Sequence, residues 1–220
     1  VDYRNNVVYN WGNINSSYGG EGGKVNMVNN YYKAGPATSG NLTTSSASNK
    51  RNRILNYTNF YVDGTDTTWG GKFYIDGNFV AGYPDVTADN WTKGVQKDSY
   101  ANAEALIKAA RQEKPFDTAP VRTHTAEEAY LRVLDSAGAI LPRRDPIDIR
   151  ITRETRTGTA TYEGATYARV TGTGISHPSG IIDSPANVGG IPKYGSNTAY
   201  TDADKDGLDD TWELINGLNP

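Results

Sequence analysis

Residues 1–32, VDYRNNVVYNWGNINSSYGGEGGKVNMVNNYY, contain one pattern twice, and the prediction of the fold starts from this repetition. In each copy two apolar residues alternate with other residues, and an Asn then precedes two further apolar residues. That Asn is Asn6 in the first copy and Asn30 in the second, and related strings surround Asn59 and Asn78. Alternating apolar residues favour half-buried strands, and Asn favours a tight bend. Each copy therefore predicts a strand, a bend at the Asn and a second strand.

The regular recurrence of this unit predicts a solenoid. The copies follow one another at roughly 19 to 29 residues, which is the range of solenoid repeats. A coil with one bend of fixed shape and one side of variable length is typical of a parallel β-helix. Stacked coils would place the Asn side chains in a ladder whose buried amides satisfy one another. The alternative is a set of unrelated hairpins with Asn turns.

Composition excludes several classes of protein. The chain has 220 residues, a net charge of -3 and no Cys, so disulfides are excluded and nothing indicates nucleic-acid binding. No apolar run approaches the ~18 residues of a membrane span. The sequence begins at Val1 in the middle of a repeat. We therefore expect missing N-terminal coils or a second chain to cover the N-terminal face.

The composition changes after residue 97, and this change predicts three domains. Residues 1–97 would be parallel β-helix coils. Residues 98–200 would be a helical and irregular cap packed on those coils, with a short helix over 101–111. Thr125 and Glu128 form a capping-box pattern before an apolar stripe, and Asp145-Pro146 indicates the start of another helix. Residues 201–220 would be a calcium-binding loop and a short helix.

A long polar insertion at residues 33–52 suggests a cleft wall. Long loops in compact folds are often functional, and cations attract anionic polymers. The alternative for this insertion is a solvated basic loop. A carboxylate also lies between glycines at residues 19–23, where the alternative to a groove residue is a solvated turn. The candidate substrate-binding residues are Tyr18, Glu21, Lys33, Arg51 and Arg53.

The C-terminal string DADKDGLDDTWE matches D-x-D-x-D-G-x5-E in full. This spacing places carboxylates at positions 1, 3, 5, 9 and 12, a backbone carbonyl at position 7 and Gly at the sharp turn. Calcium needs six or seven such oxygens, whereas a solvated acidic turn is the alternative. The loop looks like the single calcium loops of thrombospondin type 3 repeats or dockerins. The predicted Ca²⁺ ligands are Asp202, Asp204, Asp206, the Leu208 carbonyl, Asp210 and Glu213.

Long strings spread over nearly the whole chain are together typical of one family. They are VDYRNNVVYNWG, SSYGGEGGKVNMVNNYYKAGPAT, KFYIDGNFVAGYPDVTADNW, TAEEAY, LPRRDPIDIRI and DADKDGLDDTWELINGLNP. They resemble the C-terminal portion of secreted pectate lyases of the Bacteroidetes type, in family 1 of the polysaccharide lyases. The resemblance implies an all-β fold with a right-handed parallel β-helix. It also implies calcium-dependent β-elimination of polygalacturonate (pectin) and a secreted, periplasmic or cell-surface location.

The catalytic residues that the resemblance implies are not found in this sequence. In that family an Arg in an R-x-P-x-x-R motif removes the C5 proton. The chain contains no such motif, since Arg143-Arg144-Asp145-Pro146 does not complete it, and Arg4 precedes the first bend. We therefore expect the catalytic centre upstream of Val1. Two other functions fit the sequence: a non-catalytic pectin-binding β-helix and a structural surface solenoid.

Overall fold

A computed structural model describes residues 1–12, 15–19, 22–40, 50–57, 70–97, 103–141, 143–170, 174–192 and 200–220. The chain forms two compact units, Val1–Val188 and Gly189–Pro220.

The described residues of the first unit form nine short strands in three parallel sheets, and each sheet takes every third strand. The sheet orders are β1-β4-β7, β2-β5-β8 and β3-β6-β9. In the first sheet Tyr3 lies opposite Met27, and Met27 lies opposite Ile75. The strands are β1 (Asp2–Arg4), β2 (Val7–Tyr9), β3 (Tyr18–Gly19), β4 (Lys24–Val28), β5 (Tyr31–Lys33), β6 (Leu55–Tyr57), β7 (Lys72–Asp76), β8 (Phe79–Val80) and β9 (Val95–Lys97).

The predicted fold class, an all-β right-handed parallel β-helix, is wrong. The described residues form three separate three-stranded sheets together with six α-helices, without a closed β-structure. Two helices, α1 (Pro84–Ala88) and α2 (Asn90–Gly94), interrupt the chain between β8 and β9. Their cause is local, because Pro84 occupies the first turn of α1 and the Asp89 carboxylate caps α2. The alternative of antiparallel hairpins is also excluded for the described strands, since all six pairings are parallel.

The predicted Asn ladder is confirmed by direct side-chain hydrogen bonds. Asn6 Nδ2 donates to Asn30 Oδ1 at 2.9 Å, and Asn30 Nδ2 donates to Asn78 Oδ1 at 2.9 Å. Asn78 Nδ2 in turn donates to Asn90 Oδ1 at 3.0 Å, at the start of α2. The ladder thus passes directly from Asn30 to Asn78, and the predicted copy at Asn59 lies outside the described residues.

The left-handed backbone at each bend lies one residue before the ladder Asn. Asn5, Asn29 and Gly77 have φ angles of 54°, 52° and 68°. Asn and Gly tolerate this conformation best, which explains their presence at these positions. The ladder residues Asn6, Asn30 and Asn78 do not themselves have positive φ, so the predicted tight bend begins one residue before each of them.

The hydrophobic core lies among the strands of all three sheets. Tyr32, Ile54, Leu55 and Val80 are buried there, and α1 adds Val86. One open end of this core is lined by Val1, Tyr3 and Val25, beside the first strands of the sheets. The covering of this end by preceding coils or by a second chain stays a prediction.

In the part of the chain that the structure describes, four further α-helices follow the strands. The capping box of Thr125 and Glu128 is confirmed at α4, and Asp145 caps α5 with Pro146 in its first turn. Tyr130 of α4 stacks on Tyr31 of β5 at 4.2 Å between ring centroids. None of the helices within the described residues is long and apolar enough to cross a membrane. The helices are α3 (Ala103–Ala110), α4 (Ala126–Ser136), α5 (Pro146–Thr157) and α6 (Asp210–Asn216).

Candidate functional site

Lys33, a predicted substrate-binding residue, lies at the end of β5 against the helices α4 and α5. Its ammonium donates to the carbonyl of Arg156 at 2.8 Å and to the Tyr130 hydroxyl at 3.3 Å. The same ammonium lies 5.6 Å from the centre of the Tyr130 ring, within the range of a cation–π contact. These contacts attach α4 and α5 to the sheet β2-β5-β8.

Arg51 and Arg53 precede β6 and hold neighbouring loops. Arg51 donates from Nε to the Thr38 carbonyl at 3.0 Å and from Nη2 to the Gly174 carbonyl at 2.5 Å. Arg53 is only 1% exposed, and its Nη1 donates to Asn15 Oδ1 at 2.7 Å. Both guanidinium groups therefore connect segments of the chain that are distant in sequence.

Among the predicted binding residues that the structure describes, Tyr18 is the most accessible, with 65% of its surface exposed. It lies on β3 and lines the apolar cavity of about 330 Å³ at the open end of the core. Glu21 lies outside the described residues. The described members of the set are therefore spread over β3, the end of β5 and the segment before β6. Their role in binding stays a prediction.

A second cavity of about 430 Å³ gathers residues that the sequence analysis did not select. Glu104, Lys108 and Arg111 face it from α3 and the residue after it, at spacings of four and three. Trp91 contributes an aromatic ring, and the Arg111 guanidinium carbon lies 5.7 Å from its centre. The sequence could have revealed this grouping, because these residues are spaced at i, i+4 and i+7 on or next to the helix predicted at 101–111, and such residues share one helix face. The cavity combines two cations, a carboxylate and an aromatic surface.

Arg144 is the residue of this chain that comes nearest to the arginine motif, and the fold uses it structurally. Its guanidinium donates to the carbonyls of Leu134 at 2.8 Å, Asp135 at 2.7 Å and Ala137 at 3.0 Å. It thereby satisfies the carbonyls at the C-terminal end of α4.

The acidic loop of the second unit brings carboxylates together. Oxygen atoms of Asp202, Asp204 and Asp206 lie within 4.8 Å of one another. Lys205 and Gly207 have φ angles of 63° and 96°, and these left-handed residues turn the loop around the carboxylates.

Glu213, in the first turn of α6, interacts electrostatically with the carboxylates of this cluster. It is 2% exposed, and its Oε2 has no hydrogen-bond partner among the described residues. Burial raises the pKa of Glu213, and the neighbouring Asp206 and Asp204 carboxylates raise the same pKa further. Oxygen donors in this pattern are the donor set that a hard cation takes.

Of the other predicted ligands, Asp210 Oδ1 accepts a hydrogen bond from the Ala203 N–H at 2.8 Å. The Leu208 N–H donates to Asp206 Oδ1 at 2.9 Å, which fixes the backbone next to the predicted carbonyl ligand. Asp209 is not a predicted ligand, and its carboxylate caps α6 by accepting from Thr211 and Trp212. The structure therefore separates a capping carboxylate from the clustered ones.

Comparison with known proteins gives one consistent relationship, although no family model matches the chain. "Probable pectate lyase C" of Aspergillus flavus is 25% identical over 222 aligned residues, which cover 100% of this chain. Two proteins of the same name from strains of Aspergillus fumigatus are each 26% identical over the same span. The chain spans only 42% of the length of each of these relatives. The whole chain is therefore similar to part of fungal proteins that are named as pectate lyases.

Proposed function

We propose that this chain is part of a calcium-dependent pectate lyase that cleaves polygalacturonate by β-elimination outside the cell. The observation that carries the proposal is the similarity of the entire chain to part of proteins named as pectate lyases. The quoted strings of the sequence, which resemble bacterial lyases, support the same reaction independently.

The reaction places clear demands on a site. A base removes the proton from C5 of a uronate, the C4–O4 bond breaks, and a C4–C5 double bond forms. The departing O4 takes a proton, so atoms and charge balance without an oxidant or reductant. Cations near the carboxylate lower the energy of the developing carbanion. Since the 220 residues contain no R-x-P-x-x-R motif, we assign the base to residues outside them.

The contribution of this chain would be to hold the acidic polymer. The cavity beside α3 offers Lys108 and Arg111 for a uronate carboxylate and the Trp91 ring for the apolar face of a sugar. Glu104 can accept hydrogen bonds from sugar hydroxyls. This donor set favours an acidic sugar over a neutral one.

The activity is tested with the natural protein, polygalacturonate and added calcium, by following the ultraviolet absorbance of the unsaturated product. We expect absorbance to rise with calcium and to stop rising when a chelator is added. A protein that is folded and loaded with calcium, yet forms no unsaturated product, would contradict the proposal.

The binding role of the cavity is tested with the paired substitution of Lys108→Gln and Arg111→Gln. We expect affinity for trigalacturonate to fall about tenfold or more, since each factor of ten corresponds to about 1.4 kcal/mol. The matched control is Lys114→Gln with Arg122→Gln, which removes the same charge from exposed positions outside the cavity. Equal losses in both pairs would show that only net charge matters.

A second candidate function is a protein that binds acidic polysaccharide without cleaving it. The absence of the arginine motif from these residues favours this candidate. Calorimetric binding of trigalacturonate without any unsaturated product would select it over the lyase.

A further inference from the structure

The second compact unit, Gly189–Pro220, has an unusual interior in its described residues. Glu213 is the one buried side chain among residues 189–192 and 200–220. The large apolar side chains of α6 are exposed, including Ile215 at 79% and Leu214 at 66%. Small units need a hydrophobic core, a disulfide or a metal for stability. The described part of this unit has no apolar core, and the chain contains no Cys.

The buried position is also electrostatically unfavourable without a cation. The Glu213 carboxylate lies among the acidic groups of the loop, and its Oε2 has no partner in the described part of the chain. A buried carboxylate that lacks a partner costs free energy, and neighbouring like charges increase that cost. Helix α6 has seven residues, which is too short to be stable in isolation.

We propose that a calcium ion takes the place of a hydrophobic core in this unit, so that residues 200–220 fold only when the ion is bound. The clustered carboxylates of the loop and the unpartnered Glu213 oxygen would coordinate the ion, together with the Leu208 carbonyl. The assignment to calcium follows from an all-oxygen donor set in a flexible loop that ends on a Glu at its twelfth position. Magnesium is smaller and demands a stricter octahedral arrangement. This inference does not depend on the lyase activity.

Binding and folding are then a single equilibrium. The ion supplies positive charge to the clustered carboxylates and to the buried Glu213, and the unfolded loop does not hold the ligands together. Calcium should therefore order α6 as well as the loop, since Glu213 belongs to the first turn of that helix.

The test is amide hydrogen exchange of the natural protein, read by mass spectrometry over residues 200–220. The protein is measured in chelator, in calcium and in magnesium at equal concentration. We expect calcium to slow exchange within 210–216 by about tenfold or more, as for a helix that folds on binding. Magnesium should have little effect. Equal protection of this segment in chelator and in calcium would overturn the proposal.

Two substitutions that each remove one negative charge test where the ion binds. Glu213→Gln removes the proposed buried ligand, whereas Asp209→Asn keeps an oxygen that can cap α6. We expect the first to lower calcium affinity by about 100-fold and to abolish the calcium effect on exchange, while the second changes affinity by less than about tenfold. Calorimetric titration with calcium measures the affinity of both variants and of the natural protein. Only a site that contains Glu213 should lose affinity in Glu213→Gln, which distinguishes it from any other calcium site. Similar losses in the two variants would overturn the assignment of Glu213 as a ligand.

Discussion

Asn30 illustrates how single amide groups hold the sheets of this protein in register. It is fully buried, and its Oδ1 accepts from both the backbone and the side-chain nitrogen of Asn6. Its Nδ2 donates to the Tyr3 carbonyl and to Asn78 Oδ1. Both polar atoms of the side chain thus have hydrogen-bond partners on other segments of the chain. An unsatisfied polar group at this buried position would cost free energy.

Asn30→Ala should therefore destabilise the first unit severely. Removing the amide leaves groups on Asn6 and Asn78 unsatisfied, so we expect a loss of roughly 2–5 kcal/mol in the free energy of unfolding. Chemical denaturation followed by circular dichroism measures this loss. Asn219→Ala, at an exposed position, is the control and should change stability by less than about 0.5 kcal/mol. A change of that small size in Asn30→Ala would show that the ladder does not stabilise the fold.

Gly77 occupies the left-handed bend position where the related bends carry Asn5 and Asn29. A Cβ on Gly77 would collide with the side-chain oxygen of Asn29, whereas one on Gly82, also at positive φ, would meet no atom within 4 Å. Both alanine variants carry the backbone cost of about 1–2 kcal/mol. We expect Gly77→Ala to lose about 1–3 kcal/mol more than Gly82→Ala, because only the former is overpacked. Thermal denaturation of the two variants compares them, and equal losses would contradict the collision.

The residues of the ladder were only partly predictable. Asn6, Asn30 and Asn78 share apolar neighbours that mark strands on both sides, so the pattern identified them. Asn90 joins the ladder from the first residue of a helix and has no such neighbours. The positively charged residues were predicted from charge alone. Whether Lys33 or Arg51 meets a backbone carbonyl depends on tertiary contacts with Arg156 and Gly174, which a sequence pattern does not contain.

At the scale of elements, an aromatic stack joins the helical region to the second sheet. Phe79 stacks on Tyr31 at 4.8 Å, and Tyr31 stacks on Tyr130 of α4 at 4.2 Å between ring centroids. The start of α4 was predictable because its capping box is local in sequence. The stack was not predictable, because its three rings come from elements separated by many residues.

Tyr130→Ala should loosen α4 and α5 while leaving the sheets folded. The substitution removes a stacked ring and the ring that Lys33 contacts, and such pairs contribute about 0.5–1.5 kcal/mol beyond the buried area. We expect faster hydrogen exchange in residues 126–157 and nearly unchanged exchange in β4 and β7. Leu131→Ala, an exposed position on the same helix, should leave exchange unchanged. Equal effects of the two variants would argue against the stack as the attachment.

At the scale of the whole molecule, the repeat predicted the strands and the ladder but not the fold class. The repeated pattern describes the residues around each bend, and those residues do form parallel strands. The segments between the bends are set by other local signals, such as Pro84 and the Asp89 cap, which produce helices. The prediction of an all-β fold class did not take these helix signals into account.

For the acidic loop of the second unit, the sequence predicted the clustered carboxylates but not the burial of Glu213. The spacing of its predicted ligands was visible in the sequence, because metal-binding loops place their donors at fixed local intervals. The burial of Glu213 was not visible, since burial depends on tertiary packing that a local sequence pattern does not contain.

The mass of the products tests most directly our proposal that this chain is part of an enzyme that cleaves acidic polysaccharide by elimination. The natural protein is incubated with polygalacturonate and calcium in water labelled with heavy oxygen. Elimination yields fragments with an unsaturated, unlabelled sugar end, lighter by one water molecule than the products of hydrolysis. We predict fragments that are lighter by one water molecule than saturated fragments of the same length. Fragments that are all saturated, or intact polymer, would contradict this proposal.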